Sequence, residues 1–278
     1  MSKLDRTMLA MTLALGKKYS PVTIRQYAKL SANLASTQWK RQDSHPSPEI
    51  LSNNKNTLAK LARALNGGGI VSTFHVGSHL SIPWALAKSG LTVNLVVDHA
   101  NYQPIVSAFD KSHSLTKRMP AHVRVIDAES QMGGLQILER LRRQEVVVVY
   151  ADGNAGFSSN PLHRSTSISF FGLPACMRFG YLELAVYAEI GVHVVVDSSA
   201  SRDSLMLKRL ASFDPDSTRS PREFAESVGR RILRLLEKKI RSAPWLWEEW
   251  HQLASWVDLS SLVMCRDPAL KNARMDNE

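Results

Sequence analysis

The chain has 278 residues, enough for one large domain or two small ones. Hydrophobic residues make up 44% of it, which supplies a sizeable core and argues against disorder. Its 35 lysines and arginines exceed its 25 aspartates and glutamates, giving a formal net charge of +10. Such a balance indicates an acidic partner, whether nucleic acid, an anionic membrane surface or an acidic protein, unless the chain is simply a basic soluble protein.

The cysteines and the N-terminus exclude two further classes. Cys176 and Cys265 lie far apart and form no CxxC pair, so we predict no disulfide scaffold and a reducing cytoplasm. The apolar patch Met8–Leu15 is far shorter than the roughly 20 residues that span a bilayer. It also lacks a small-residue cleavage site, so we predict neither a signal peptide nor a transmembrane segment.

Residues 1–66 are predicted to form a helical N-terminal segment. Ser20 and Pro21 read as an N-cap followed by proline at the first helical position, and apolar residues then recur at helical spacing. Ser47 and Pro48 repeat this start signal. The helix that follows them would end at a run of three glycines.

Residues 67–215 alternate between apolar runs and helical patterns. Strands are predicted at Ile70–His75, Leu91–Asp98, His122–Asp127, Glu145–Tyr150, Ser165–Phe171 and Gly191–Asp197. Helices are predicted between them at Leu80–Lys88, Ile105–Phe109, Gln131–Arg143 and Met177–Ile190. Runs that are apolar on both faces are typical of central parallel strands covered by helices. We therefore predict an α/β fold with a mostly parallel central sheet, flanking helices and right-handed crossovers.

Residues 219–257 are predicted to be C-terminal helices, which begin at a capping box formed by Ser220 and Glu223. The segment Arg219–Arg241 carries eight basic and three acidic residues, so it supplies +5 of the net charge of +10. This face is either a solvated helix surface or a docking surface for an acidic carrier protein or anionic lipid. No linker or repeat divides the sequence, and we predict one domain over residues 1–278.

His75 is the residue best placed for catalysis, because it closes a buried strand where a helix begins. Asp98 and Asp152 also follow predicted strands, at the edge where open α/β sheets keep their sites. Ser78 and His79 lie within one helical turn of His75. Each has a structural alternative: the histidines could be packed side chains, and the aspartates could cap the turns that follow them.

Several short motifs follow one another between Ile70 and Trp250. They are a strand leading to His75-Val-Gly77, the loop Asp152-Gly-Asn-Ala-Gly156, the segment Phe170-Phe171-Gly172, a helical Gly180-Tyr-Leu-Glu-Leu-Ala185 and Trp245-Leu-Trp247. In this order they resemble the lysophospholipid/lipid A acyltransferase superfamily, and its lipid A late-acyltransferase branch in particular. Leu80 stands where the family's His-x4-Asp/Glu motif has its acid.

The resemblance implies an acyltransferase. In the family, the histidine takes a proton from an acceptor hydroxyl, which attacks an acyl thioester, and the acid holds the imidazole in the right tautomer. Carried over, His75 is the base, and Asp152 or Asp98 supplies the carboxylate that Leu80 does not. The predicted substrate-binding residues are His79, Ser78, Asn101, Phe171, Gly172 and Arg178.

The predicted reaction moves an acyl group from acyl carrier protein or coenzyme A to a hydroxyl or amine of a small-molecule or lipid acceptor. We expect a specialised lipid or secondary-metabolite pathway, no cofactor and no metal. The expected location is the cytoplasm, with peripheral contact to an anionic inner membrane as a further candidate. The alternative function is a non-catalytic acyl-carrier or lipid-binding protein that retains the fold.

Other chemistries fit the sequence less well. The two-histidine spacing at His75 and His79 is that of a zincin, but Val76 stands where a zincin has its glutamate. There is no Gly-x-Ser-x-Gly elbow of an α/β-hydrolase. The glycine triplet 67–69 precedes its strand instead of following one, which argues against a P-loop. No nucleic-acid-binding module accompanies the positive charge, so nucleic acid is not a predicted partner.

Overall fold

The computed structural model describes residues 2–40, 55–116, 123–153, 165–198, 205–216, 218–253 and 257. Its strands are β1 Gly69–Thr73, β2 Val93–Val97, β3 Val123–Asp127, β4 Val146–Tyr150, β5 Ser165–Phe170, β6 Leu173–Arg178, β7 Val192–Asp197 and β8 Leu207–Phe213. Six of them form one sheet in the order β3-β2-β4-β1-β7-β8. Neighbouring strands in it are parallel except for β8, which runs antiparallel to β7. The predicted α/β class with a mostly parallel sheet is confirmed.

Helices flank this sheet. They are α1 Lys3–Leu15, α2 Pro21–Lys40, α3 Lys55–Ala64, α4 Ser81–Lys88, α5 His99–Thr116, α6 Gly133–Arg142, α7 Gly180–Tyr187 and α8 Pro221–Ser242. Short 3₁₀ turns follow α8 at Pro244–Leu246 and Glu249–Gln252. Both predicted caps are present: Ser20 Oγ accepts the backbone N–H of Thr23 at 3.2 Å, and Ser220 forms a full capping box with Glu223.

Strand β4 shows why the central strands read as continuous apolar runs. Successive side chains of a strand point to opposite faces of the sheet. Val147 and Val149 join the core that also contains α1, α2 and α8, whereas Val146 and Val148 join the core under α3 and α4. Because helices cover both faces, every residue of β4 is buried.

The stretch after β4 departs from the prediction. Ser165–Phe170 pairs with Leu173–Arg178 as a separate antiparallel hairpin, not as a strand of the parallel sheet. The helix predicted at Met177–Ile190 is therefore wrong in its first part, and α7 spans Gly180–Tyr187. The reason is visible in the burial of β5, which alternates between buried and exposed residues as expected for a strand with one solvated face.

Strand β8 was not predicted at all. Lys208, Arg209 and Ser212 are exposed, and the two basic residues interrupt any apolar pattern. The start signal at Ser47 and Pro48 and the loop residues Asn154–Gly156 lie outside the described residues. Within the described ranges, none of the helices is both long enough and apolar enough to cross a membrane.

Gly229 on α8 allows a close approach of Phe179, and its substitution tests this packing. A Cβ at position 229 would come within 2.6 Å of the Phe179 ring, which is 2% exposed. We expect Gly229→Ala to lower the free energy of unfolding by about 1–3 kcal/mol, because the ring must move. The measurement is urea denaturation of the purified protein.

Gly134 on α6 is the matched control, because a Cβ there would meet nothing within 4 Å. Gly134→Ala should leave the protein as stable as the wild type or up to about 1 kcal/mol more stable, since alanine favours the helix. Equal stability of the two variants would show that Phe179 does not require the glycine.

Candidate active site

His75 follows β1 by two residues, at the carboxyl end of the parallel sheet. Its backbone N–H donates to the Asp152 carboxylate, at 3.0 Å to Oδ2 and 3.2 Å to Oδ1. Its ring Nδ1 lies 3.0 Å from Asp152 Oδ1. An ionised carboxylate only accepts hydrogen bonds, so this contact assigns the proton to Nδ1 and leaves Nε2 as the nitrogen that can exchange a proton.

Asp152 is held in place by the neighbouring strand and by the C-terminal segment. It follows β4 by two residues, and β4 pairs with β1. Its side chain is fully buried. Besides the two groups of His75, the indole Nε1–H of Trp247 donates to Asp152 Oδ2 at 2.8 Å. These three donors compensate the burial of a carboxylate that would otherwise be strongly unfavourable.

The segment after α8 reaches this site by pairing with the chain after β1. The backbone N–H of Gly77 donates to Leu246 O at 3.2 Å, and that of Glu248 donates to His75 O at 3.0 Å. Between these bonds, Val76 and Trp247 form an antiparallel bridge. This pairing brings Trp247 onto Asp152.

A second buried carboxylate holds the turn after His75 from the other side. Asp197 ends β7, the other neighbour of β1, and its Oδ2 accepts the backbone N–H of Ser78 at 2.9 Å. Gly77 has a φ of +67°, and a Cβ there would lie 2.9 Å from Asp197 Oδ2. The turn is therefore fixed by carboxylates from both adjacent strands, and the close approach requires the glycine.

Aromatic rings restrict the imidazole of His75. It stacks on Tyr150, with 4.3 Å between ring centroids, and meets His79 edge-on at 5.0 Å. The Tyr150 hydroxyl donates to the backbone carbonyl of His79 at 3.3 Å. These contacts fix the orientation of the ring, and the His75 side chain keeps 24% of its surface exposed.

The electrostatics favour a protonated His75. Burial by itself would lower the pKa of His75, but the charge and hydrogen bond of Asp152, with the charges of Glu249 and Glu248, raise it to about 9. Burial opposes ionisation of Asp152 too, yet the charge of His75 and the hydrogen bonds from His75 and Trp247 keep its pKa below the usual value. The two groups thus form an ion pair at neutral pH.

Two further carboxylates lie beside this pair. Glu248 Oε1 is 3.4 Å from Nε2 of His79, whose side chain is 4% exposed. Burial raises the pKa of Glu249 to about 7, with the charges of Asp152 and Glu248 also raising it and that of His75 opposing. The site therefore holds more negative than positive groups. Within the described ranges, no group of three or more His, Cys, Asp or Glu side chains could hold a metal ion.

Of the two predicted partner carboxylates, Asp152 contacts His75 and Asp98 does not. The Asp98 carboxylate accepts the backbone N–H of Asn101 at 2.8 Å and its side-chain amide at 3.0 Å. Asp98 therefore caps the first turn of α5, which is the structural alternative for this residue. Leu80 precedes α4 and offers no polar group.

The other predicted residues are spread over several parts of the fold. Ser78 and His79 lie in the turn that follows His75. Phe171 and Gly172 form the turn of the β5–β6 hairpin, with φ values of +56° and +78°. The ring of Phe171 packs against Trp250 at 5.7 Å between centroids, inside the core, and Arg178 ends β6. The contribution of these residues to substrate binding stays a prediction.

Asp197, Trp247, Glu248 and Glu249 take part in the site but were not predicted as site residues. The motif Trp245-Leu-Trp247 was the sequence signal that pointed to Trp247. Asp197 ends a predicted strand, as Asp98 does, and Asp152 follows one by two residues. For the two glutamates no sequence signal distinguishes them from solvated side chains.

No protein-family model matches the chain. No curated protein matches it either.

Trp247 and Trp250 provide a test of how Asp152 is held. The indole of Trp247 donates to an ionised carboxylate, whereas that of Trp250 donates to the carbonyl of Pro244 at 2.7 Å. Both rings are buried. Hydrogen bonds to charged groups contribute about 1.5–3 kcal/mol, and neutral ones about 0.5–1.5 kcal/mol.

We therefore expect Trp247→Phe to lower the free energy of unfolding by more than Trp250→Phe does. The expected difference is about 1 kcal/mol, which is the gap between a hydrogen bond to a charged group and one to a neutral group. Urea denaturation at pH 7 of the two variants measures it. The loss of ring volume is the same in both, so each is the control for the other. An equal or smaller effect at Trp247 would contradict a charged acceptor.

Proposed function

We propose that the protein is an acyltransferase in which His75 is the general base and Asp152 is the carboxylate that orients it. The observation that carries the proposal is the 3.0 Å contact between His75 Nδ1 and Asp152 Oδ1. Asp152, which follows the neighbouring strand β4, thus provides the carboxylate that Leu80 does not. The resemblance to the acyltransferase superfamily supports the same function. So does the assignment of the proton to Nδ1 of His75, which leaves Nε2 to exchange a proton.

The proposed reaction starts with an acyl thioester and an acceptor hydroxyl or amine. His75 Nε2 takes the acceptor proton as the acceptor oxygen or nitrogen attacks the thioester carbonyl. The tetrahedral intermediate then collapses, the carbon–sulfur bond breaks, and the leaving thiolate receives the proton from Nε2. Asp152 stays ionised throughout, fixes the tautomer and stabilises the imidazolium formed in the first step.

The donor in this proposal is an acyl carrier protein or coenzyme A, and the acceptor is a small molecule or a lipid. We further propose a cytoplasmic location with peripheral contact to an anionic membrane. The positive net charge of +10 supports an anionic donor. The excess of carboxylates around His75 makes a phosphorylated acceptor less suitable than an uncharged or cationic one.

The first test measures thioester loss and acyl product by intact mass spectrometry. The protein is incubated with acyl carrier protein and coenzyme A thioesters and a panel of alcohols and amines. We expect His75→Gln to abolish transfer and Asp152→Asn to lower kcat by up to about 10⁴-fold, as for the orienting carboxylate of a triad. Because the base must be neutral and its pKa is about 9, kcat/KM should rise about tenfold per pH unit below pH 9 and level above it.

The matched control is a second histidine–aspartate pair among the described residues. His99 Nδ1 lies 2.7 Å from Asp127 Oδ2, but the His99 side chain is 77% exposed. His99→Gln and Asp127→Asn should leave transfer unchanged. Transfer that persists in His75→Gln would contradict the proposal. Carrier binding without turnover, equal in wild type and His75→Gln, would favour the non-catalytic alternative.

A further inference from the structure

Arg230, Arg234 and Lys238 form a cationic stripe on α8. They are spaced four residues apart, so their side chains lie one above another on the helix. All three are exposed. The acidic residues near them have other partners: Glu226 pairs with Arg222, and Glu237 pairs with Arg241. No described carboxylate forms an ion pair with any of the three stripe residues.

A groove of about 260 Å³ opens beside the cationic stripe. One wall is the β5–β6 hairpin, through Ile168 and Gly172, and the other is α8, through Arg230, Leu233 and Arg234. The side chains of Ile168 and Leu233 are buried, those of Arg230 and Arg234 are exposed, and Ser169 and Glu237 also line the groove. A concave surface of this kind is complementary to a protruding element of a partner protein and not to a flat partner surface.

The distribution of apolar residues argues against a membrane as the occupant. A helix that lies on a lipid surface inserts an apolar face into it. The apolar face of α8 is instead in the protein core, through Phe224, Val228, Ile232 and Leu236. Across the described ranges, the exposed large hydrophobic side chains lie on other elements. The exposed face of α8 therefore presents positive charge beside a groove. This combination is complementary to the surface of an acidic protein.

A chain of aromatic side chains connects the groove with the active site. Glu237 on the groove accepts the backbone N–H of Phe171 at 2.8 Å. The ring of Phe171 contacts Trp250, and Trp250 packs against Trp247 with 4.7 Å between centroids. Trp247 in turn donates to Asp152. These contacts connect the groove to the His75–Asp152 pair.

We infer that the cationic stripe and its groove are the docking surface for an acidic carrier protein, which presents the acyl thioester to His75. The inference rests on the proposed function for the nature of the cargo. The surface itself is assigned from its cations, which have no described ion-pair partner, from its groove and from the absence of an exposed apolar face on α8. Electrostatic attraction across such a surface acts on encounter and affinity and not on the chemical step.

The test compares a carrier-bound donor with a carrier-free donor of the same acyl chain. The donors are acyl-acyl carrier protein and the corresponding acyl-N-acetylcysteamine thioester. The stripe variant is Arg230→Glu, Arg234→Glu and Lys238→Glu together. We expect it to raise KM for the carrier-bound donor by about tenfold or more and to leave kcat/KM for the carrier-free donor unchanged. The wild-type KM for the carrier-bound donor should also rise with salt.

The control variant carries the same charge change on α3, at Lys55→Glu, Lys60→Glu and Arg63→Glu, all of which are exposed. It should behave as the wild type with both donors. A KM for the carrier-bound donor that rises equally in both variants would overturn the inference, because net charge alone would then explain the effect.

Failure of the proposed function is distinguished from failure of this inference, because the wild type would then transfer no acyl group from either donor. Binding of fluorescently labelled acyl carrier protein then tests the surface directly, and equal affinity of the wild type and the stripe variant overturns the inference. Binding of phosphatidylglycerol vesicles is the last measurement. If the stripe variant loses vesicle binding and keeps carrier affinity, the surface is a membrane contact and the inference is wrong.

Discussion

The buried carboxylate of Asp152 is the group on which the site depends. A carboxylate without exposed surface is tolerated only when hydrogen bonds and an opposite charge replace its hydration. Here His75 supplies a backbone N–H, a ring N–H and a positive charge, and Trp247 supplies an indole N–H. His75 and Trp247 are 77 and 95 positions away from Asp152 in the sequence. The carboxylate therefore ties together the ends of β1 and β4 and the C-terminal segment, and the same contacts fix the histidine.

Sheet order decides which of the two candidate aspartates could reach His75. Both Asp98 and Asp152 follow parallel strands, and the sequence alone treats them alike. In the sheet, β4 is adjacent to β1, whereas β2 is separated from β1 by β4. Strands are spaced about 4.8 Å apart, so the end of β2 lies roughly 10 Å from the end of β1. Asp98 is too far for a hydrogen bond and caps α5 instead.

Four of the strands that the sequence predicts well are buried on both faces. β1, β2, β4 and β7 are short valine-rich or isoleucine-containing runs that only a covered sheet accommodates. The β5–β6 hairpin and β8 were misread or missed because one of their faces is exposed and polar, which weakens the hydrophobic signal. Contacts such as Trp247 to Asp152, which join residues 95 positions apart, depend on the assembled tertiary structure and no local pattern predicts them.

The charges of the chain are separated between two regions. Carboxylates dominate around His75, where Asp152, Glu248 and Glu249 raise the pKa of the imidazole. Cations dominate the outer face of α8. The chain leads from one to the other directly, because α8 is followed by the segment that carries Trp247 and the two glutamates. A basic surface for recruitment and an acidic, buried site for proton transfer can thus coexist in one protein with a net charge of +10.

The most direct test of this account is the titration of the His75 ring by NMR in the wild type and in Asp152→Asn. The His75→Gln spectrum assigns the signal. The account predicts a pKa of about 9 in the wild type. In Asp152→Asn it predicts a large fall, because burial lowers the pKa of a histidine whose carboxylate partner has been removed. A wild-type pKa near 6.5 that does not change in the variant would contradict the His75–Asp152 pair and the mechanism built on it.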